Sequence, residues 1–433
     1  MFKFKIEYYF RIIIMLLMIT TYLPIVYYRL PAYIGSHHLW VIVWAISLLL
    51  FNPKILFGKL MLLIYFYALF LWIMLTTAWA QMNEWNITSL WNEIYVIAVG
   101  ASIITYINRT KDYMGFAKII RFVLIFILIT SVLTIITTII NPMYIRLNFV
   151  ESFDADMARQ IMYSYGAANI FMTVVFTALV PILIYYYKNN HLINYKKWII
   201  LILISLCIIV VVRMQVFANI LFVLLFTVMA FISAKNRKRT IIILIALSLI
   251  VVSIPNNVYV KTLNNLSKNT SNLEEVSFKM TELAVYIEKG GQVNHSDNAV
   301  AGRAERFPML LKVFKNSPFL GCFFQNDITN NGYNPLGGHL YWMNKLAVTG
   351  IIGFIFFLSI IIVFLKNELN YMQGNYRYYF ILAMLSILSY GIFKNLGSRE
   401  VWYAYFIIIP GIYYLPLLNK KKEDIIDNNE NNK

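Results

Sequence analysis

Residues 198–234 read WIILILISLCIIVVVRMQVFANILFVLLFTVMAFISA, with no charge except Arg213 and no amide except Gln215 and Asn219. As one α-helix this run would be about 55 Å long, nearly twice the roughly 30 Å of a bilayer's hydrocarbon core. Basic clusters stand at both ends, Lys196-Lys197 and Lys235 to Arg239. Clusters of Lys and Arg favour one side of a membrane, so an even number of crossings must separate these two. The stretch therefore reads as a tight membrane hairpin with Arg213 at its tip.

The rest of the chain follows the same logic. Hydrophobic residues make up 60% of the chain and charged residues only 13%, a balance that excludes a water-soluble domain of this length. Apolar runs at 12–29, 38–51, 60–80, 92–107, 121–140, 168–187, 198–212, 215–234, 240–254, 341–365, 378–393 and 401–418 predict an all-α polytopic membrane protein of about twelve transmembrane helices. Lys3, Lys5 and Arg11 precede the first run as they would in a signal peptide, yet no small-residue cleavage site follows, so it reads as an uncleaved helix. Cys207 and Cys322 are too few for a disulfide framework or a four-ligand metal site.

A net charge of +17 raises the question of nucleic acid, and its distribution answers it. With the N-terminus in the cytoplasm, Lys54 and Lys59, the basic residues of 109–121, 188–197, 235–239 and 366–377, and Lys420 to Lys422 all fall on the cytoplasmic side. Short opposite loops such as QMNEWNITSLWNE are poor in Lys and Arg. The positive-inside rule then puts both termini in the cytoplasm, and no nucleic-acid partner is needed to explain the charge.

Organisation follows as a membrane region over 1–254, a long extracytoplasmic loop over 255–340, three last spans within 341–418, and a polar cytoplasmic tail over 419–433. A loop of such length is usually functional or disordered. This one carries two amphipathic patterns. Leu273, Val276, Met280, Leu283 and Ile287 recur at helical spacing before a Gly290-Gly291 stop; Phe307, Leu310, Leu311 and Phe314 share a second face that Pro318 ends. Such helices suit a membrane surface. The N-x-S/T matches at Asn86, Asn265, Asn269 and Asn294 fit chance in an Asn-rich chain.

Cations gather on the extracytoplasmic face. Arg213 alone would read as a snorkelling residue. It has company in Arg303 and Arg306 of the loop, Lys394 and Arg399 of FKNLGSREVW, and Arg146 and Arg159 of a loop that also holds Glu151, Asp154 and Asp156. Facing cations call for an anionic partner, and a lipid phosphate or diphosphate fits. His339, set between Gly337-Gly338 and the start of a span, reads either as a polar helix cap or as a group able to accept a proton at neutral pH. His37-His38 and His191 read as isolated on other loops. HExxH, GxSxG, P-loop and DxD-like patterns are absent, so metal hydrolysis, serine chemistry and nucleotide binding lack their residues.

The phrase GRAERFPMLLKVFKNSPFLGCFF, followed after a gap by GGHLYWMNKLAVTGIIGFIFFL, resembles the carboxy-terminal signature of the O-antigen ligase and O-antigen polymerase superfamily. That signature has an Arg opening an outer helix, a turn of the form nP-lG, and a His beginning a phrase that ends, within a span, in two glycines separated by two residues that are each Leu or Ile. Arg303, the residues from Asn316 to Gly321, His339, and Gly350 to Gly353 match those positions, and Arg213 matches a further Arg at the outer end of a hairpin. Leu340 stands where the family often has Asn, and Val212 where it often has Ser, which loosens any assignment to the ligase branch.

The resemblance implies a metal-independent, cofactor-free inverting glycosyltransferase at the outer face of the cytoplasmic membrane. Its donor would be an oligosaccharide on a polyprenyl diphosphate such as undecaprenyl diphosphate. His339 would be the catalytic base, with Arg213, Arg303, Arg306 and Arg399 on the diphosphate. A polymerase of O-antigen or capsule repeat units is the first expectation. A ligase delivering finished glycan to lipid A core or another terminal acceptor is the alternative, and a flippase or transporter of the same lipid-linked sugar is the rival from another class. Partners implied are the lipid-linked donor, the bilayer, and the pathway's flippase and chain-length regulator.

Overall fold

The computed structural model describes residues 2–29, 31, 35–79, 88–141, 165–189, 196–232, 255–293, 299–322 and 340–419. Among them every regular element is helical. Helices cover all the apolar runs named above except 240–254, which lies outside the described residues. In chain order they are α1 (Phe2–Tyr22), α2 (Pro24–Arg29), α3 (His37–Phe51), α4 (Lys59–Trp79), α5 (Thr88–Thr110), α6 (Tyr113–Ile140), α7 (Met172–Lys188), α8 (Lys197–Arg213) and α9 (Phe217–Phe231). Then follow α10 (Asn256–Asn269), α11 (Glu274–Glu288), α12 (Ala299–Asn316), α13 (Tyr341–Tyr371), α14 (Tyr376–Tyr390), α15 (Arg399–Tyr403), a π-helical turn over Ala404–Ile408, and α16 (Ile409–Ile412).

Among the described residues, four helical segments are long and apolar enough to cross a membrane: Lys59–Thr77, Leu90–Thr110, Tyr113–Ile140 and Tyr341–Tyr371. The helices His37–Phe51, Met172–Lys188 and Phe217–Phe231 are apolar but shorter. Exposed apolar side chains such as Leu62, Phe66, Leu69 and Ile73 on α4, and Ile125, Ile129, Val132 and Ile136 on α6, form extended faces of the kind that mark membrane contact.

Among the described residues, two of the apolar runs are broken by a non-helical residue, and a third, 401–418, passes through the π-helical turn. The first is cut at Leu23, because proline lacks an N–H and disfavours helical geometry in the residue before it, and Pro24 restarts the chain as α2. The second break falls inside α13, where Gly350 adopts φ 62° and ψ −175°. Residues 341–349 and 351–371 are thus two helical pieces.

The hairpin expected at Arg213 is present: α8 ends there, Gln215 takes a left-handed φ of 55°, and α9 begins at Phe217. Two of the loop helices also match their sequence patterns. α11 stops at Gly290 and Gly291, both left-handed, with the Gly291 N–H bonded to the Tyr286 carbonyl at 2.9 Å. α12 runs to Asn316, two residues before Pro318. α10 was not anticipated; it packs along α11, where the Ser267 hydroxyl meets those of Ser277 and Thr281 at 2.9 and 2.8 Å.

The element at the centre is the stretch 399–412, whose residues from Val401 to Ile412 are buried throughout. It touches α1, α5, α6, α7 and α14. Side-chain contacts define the two ends of the bundle around it. At one end Arg11 forms a two-point ion pair with Asp112, Nε to Oδ2 at 2.6 Å and Nη2 to Oδ1 at 2.7 Å. There too Arg109 donates to the Lys54 carbonyl, and Lys188 Nζ caps α9 through the carbonyls of Ala230 (3.0 Å) and Phe231 (2.9 Å). We term this the basic end. The chain ends of α1, α6, α8 and α14, and the starts of α3, α7, α13 and α15, lie at the other, far end.

Candidate functional site at the far end of the bundle

Arg213 terminates α8 and is fixed to the last turn of α6. Its Nη2 donates to the Thr138 carbonyl at 3.0 Å, and its Nε stands 3.5 Å from the Thr138 hydroxyl. One helical turn earlier, the Thr134 hydroxyl accepts from the Ala168 N–H at 2.8 Å. Next to Ala168, Asn169 donates through Nδ2 to Glu400 Oε1 at 2.9 Å, while its own Oδ1 accepts the N–H of Phe171 at 3.1 Å. Another turn back along α6, Thr130 donates to the Tyr22 carbonyl at 2.8 Å, and Tyr22 in turn donates its phenol to the Glu400 carbonyl at 2.8 Å. Thr130, Thr134 and Thr138 recur every four residues, so they share one face of α6 and tie α1, the 165–171 segment and α8 to it.

Glu400 is the hub of this network. It is 7% exposed, and its carboxylate faces Arg399 Nε at 3.8 Å as well as Asn169. One turn further along α15, the Tyr403 hydroxyl meets His37 Nε2 at 3.0 Å. The opposite ring nitrogen of His37 faces the hydroxyls of Thr20 and Thr21 at 3.4 and 3.5 Å. Both threonines spend their protons on carbonyls of the preceding turn, so they offer lone pairs to His37. The network therefore assigns the proton to Nδ1 and leaves Nε2 to accept from Tyr403. His37 is not an isolated loop residue, as the sequence suggested: the turn through α2 folds the start of α3 back onto α1 and α15, and the ring is 1% exposed.

A second cluster lies beside α13. Glu93 of α5 accepts from Lys345 Nζ at 2.6 Å through Oε2 and from the Tyr341 hydroxyl through Oε1. The ammonium also sits 4.9 Å from the Phe357 ring centre and 5.3 Å from that of Tyr341. Trp402 packs edge-on against Phe357 at 5.9 Å and reaches Tyr341 at 6.4 Å, so α15 separates this cluster from the one at Glu400. Neither Glu93 nor Lys345 entered the sequence reading. Each stands near the start of an apolar run, where a charge is ordinary.

The turn Ser317–Gly321 closes the arrangement. It enters the break in α13, where the Ile351 N–H donates to the Pro318 carbonyl at 2.8 Å and the Ile352 N–H to the Phe319 carbonyl at 3.3 Å. Amides that a helix start leaves without partners are thereby satisfied from the loop. The Cys322 thiol follows directly and is buried, which pushes its pKa up to about 12 and keeps it protonated and inert.

The residues singled out in the sequence are distributed as follows. Arg213 and Arg399 stand at the far end and are linked through Thr138, Thr134, the Ala168-Asn169 pair and Glu400. Arg306 lies on α12, which packs on α13, and its side chain is engaged rather than free. Arg303 belongs to the same helix, but its side chain is outside the described residues, as are His339, His191, Arg146 and Arg159. Among the described residues, no group of three His, Cys, Asp or Glu is arranged to hold a metal ion. No model of a known protein family matches the chain, and no curated protein or solved structure matches it.

Proposed function

We propose that this chain is a membrane glycosyltransferase that polymerises polyprenyl-diphosphate-linked repeat units of a surface polysaccharide, in the manner of the O-antigen polymerase and ligase superfamily its sequence resembles. One observation carries the reading. The two halves of the resembling signature, Asn316 to Gly321 and Gly350 to Gly353, are far apart in sequence and interlock through the bonds from Ile351 to Pro318 and from Ile352 to Phe319. A motif whose separate parts interlock in the fold behaves as one unit.

In the proposed reaction the acceptor hydroxyl attacks the anomeric carbon of the donor sugar. The bond from that carbon to the diphosphate breaks with inversion, and the diphosphate departs on its polyprenyl chain. His339 takes the hydroxyl proton. Arg213, Arg303, Arg306 and Arg399 balance the charge of the leaving diphosphate, the role a divalent metal would otherwise fill. The driving energy is that of the sugar-diphosphate bond, so no nucleotide is required.

Topology belongs to the same proposal: about twelve crossings in the cytoplasmic membrane, both termini in the cytoplasm, and the site outside. Lys54, Arg109, Arg11 and Lys188 at the basic end, with Arg213 and Arg399 at the far end, support that orientation through the positive-inside rule.

A transporter of the same lipid-linked sugar is the second reading, and the interrupted α13 with its buried Lys345 favours it, since broken helices with ionisable groups are a transporter's usual device. Lys345 is only about 6 Å along the helix from Tyr341, so it stands toward the far end rather than the midplane, which argues for the transferase.

Deletion of the gene tests polymerase against ligase. Cells without the protein are expected to attach single repeat units to the terminal acceptor and to make no long chains. Complete loss of attachment, with long polymer accumulating on the polyprenyl carrier, would identify the ligase alternative instead.

A further inference from the structure

Residues 341–349 form a short helix bounded by a left-handed residue at each end, Leu340 at φ 62° and Gly350 at φ 62°. For leucine that conformation is strained, and it persists only where surrounding structure imposes it. Three groups of contacts do so. At the entrance, the Tyr341 N–H donates to the Lys394 carbonyl at 3.3 Å, the Trp342 N–H to the Gly391 carbonyl at 3.4 Å, and the Trp342 indole to the Leu388 carbonyl at 2.9 Å. At the exit stands the 317–321 turn. In the middle, Glu93 grips the helix by charge, holding Lys345 with one oxygen and Tyr341 with the other.

A buried ion pair is a poor choice for stability alone, because two apolar side chains of similar size often do as well or better. It does specify geometry. Lys345 and Tyr341 are four residues apart and so lie on one face, and a rotation of the short helix by one residue would leave a 5% exposed lysine without its counter-charge. The Trp342 indole bond to the Leu388 carbonyl restricts rotation at the helix start, and the Glu93 grip restricts it at mid-length, where the buried lysine needs its counter-charge.

We infer that Glu93 is a positioning residue of the proposed transferase: through Lys345 and Tyr341 it sets the rotation and depth of the 341–349 helix, and so the direction in which the chain enters it at Leu340. This inference rests on the transferase reading for its kinetic consequence but not for its structural one, and the two are measured separately.

The test uses the full-length protein in nanodiscs. In Glu93→Gln, hydrogen–deuterium exchange over 341–349 is expected to quicken about tenfold or more, while exchange over α7 and α14 stays unchanged. With a synthetic lipid-diphosphate sugar as donor, kcat is expected to fall about 10²-fold, the usual cost of misplacing a catalytic frame, with donor KM within about threefold of wild type. The charge-swapped pair Glu93→Lys with Lys345→Glu is expected to recover most of the protection. Should the swap fail to insert, Glu93→Asp, which keeps the charge on a shorter arm, is expected to fall between wild type and Glu93→Gln. Unchanged exchange over 341–349 in Glu93→Gln, or a loss of protection spread evenly over the bundle, overturns the inference. A wild-type protein that transfers nothing overturns the transferase reading and leaves the exchange result to stand by itself.

Discussion

Gly321 and Gly350 meet backbone to backbone. A β-carbon on either glycine would lie 2.6 Å from the other's amide nitrogen, and both residues are left-handed, with φ of 84° and 62°. The contact joins the turn that follows α12 to the break in α13.

Alanine at either position meets two obstacles together, a disfavoured φ and an occupied space. We expect Gly321→Ala and Gly350→Ala each to destabilise the protein by at least about 2 kcal/mol, combining backbone strain with overpacking. Thermal unfolding of the purified variants in detergent measures this. Wild-type stability in both would mean that the turn and the break are not in contact.

The proposed function gives Arg213 two duties, which substitution separates. Lysine keeps the charge but cannot reproduce the planar fork that reaches the Thr138 carbonyl while facing an anion. We expect Arg213→Ala to lower transfer by about 10²–10³-fold, and Arg213→Lys to lower it less, by about tenfold. Equal activity of the lysine variant and wild type would leave Arg213 as a plain helix-end charge.

Glu400 is expected to discriminate between its two neutral replacements. Glutamine retains an oxygen for Asn169 and removes the negative charge beside Arg399, so Glu400→Gln should fold normally and bind the anionic donor more tightly. Alanine leaves the Asn169 amide unpaired, at a cost of about 1–3 kcal/mol. Unfolding midpoints and donor KM in the two variants give the comparison; weaker donor binding in Glu400→Gln would contradict it.

Asp112 provides the control at the basic end. It takes both Arg11 bonds and also caps α6 through the Gly115 N–H at 3.1 Å. Asp112→Ala is expected to lose about 1–3 kcal/mol of stability, since charge-assisted pairs and caps are both lost. Its kcat should match wild type, because the ion pair lies at the end of the bundle away from Arg213 and Arg399. A fall in kcat comparable with that of Arg213→Ala would place chemistry at the basic end.

The sequence made the helices legible wherever apolar runs were long, because burial in lipid imposes a single composition on every face. It also made the Arg213 hairpin legible, since length and flanking charge leave no other solution. Gly350 escaped, because Thr349 to Gly353 reads as a continuous part of an apolar run, and glycine there signals close packing as readily as a break. α10 escaped because its inward face, half-buried Tyr259 and Leu263 and buried Ser267 four residues apart, is diluted by asparagine. The bonds from Asn169 to Glu400, from His37 to Tyr403 and from Glu93 to Lys345 each join distant parts of the chain, and no local pattern encodes such a pairing. Arg213 and Arg399 were found by their charge and shared face, whereas Glu400, lying beside Arg399, shows its role only through its contact with the distant Asn169.

The most direct measurement is transfer by the purified protein. Reconstituted alone with a synthetic polyprenyl-diphosphate oligosaccharide, in the presence of a chelator, it is expected to give products longer by whole repeat units, with free polyprenyl diphosphate released in equal amount and inverted configuration at each new linkage. His339→Ala should reduce that yield by about 10²–10⁴-fold without loss of donor binding. Movement of the intact lipid-linked sugar between leaflets, with no new glycosidic bond formed, would contradict the transferase and establish a transporter in its place.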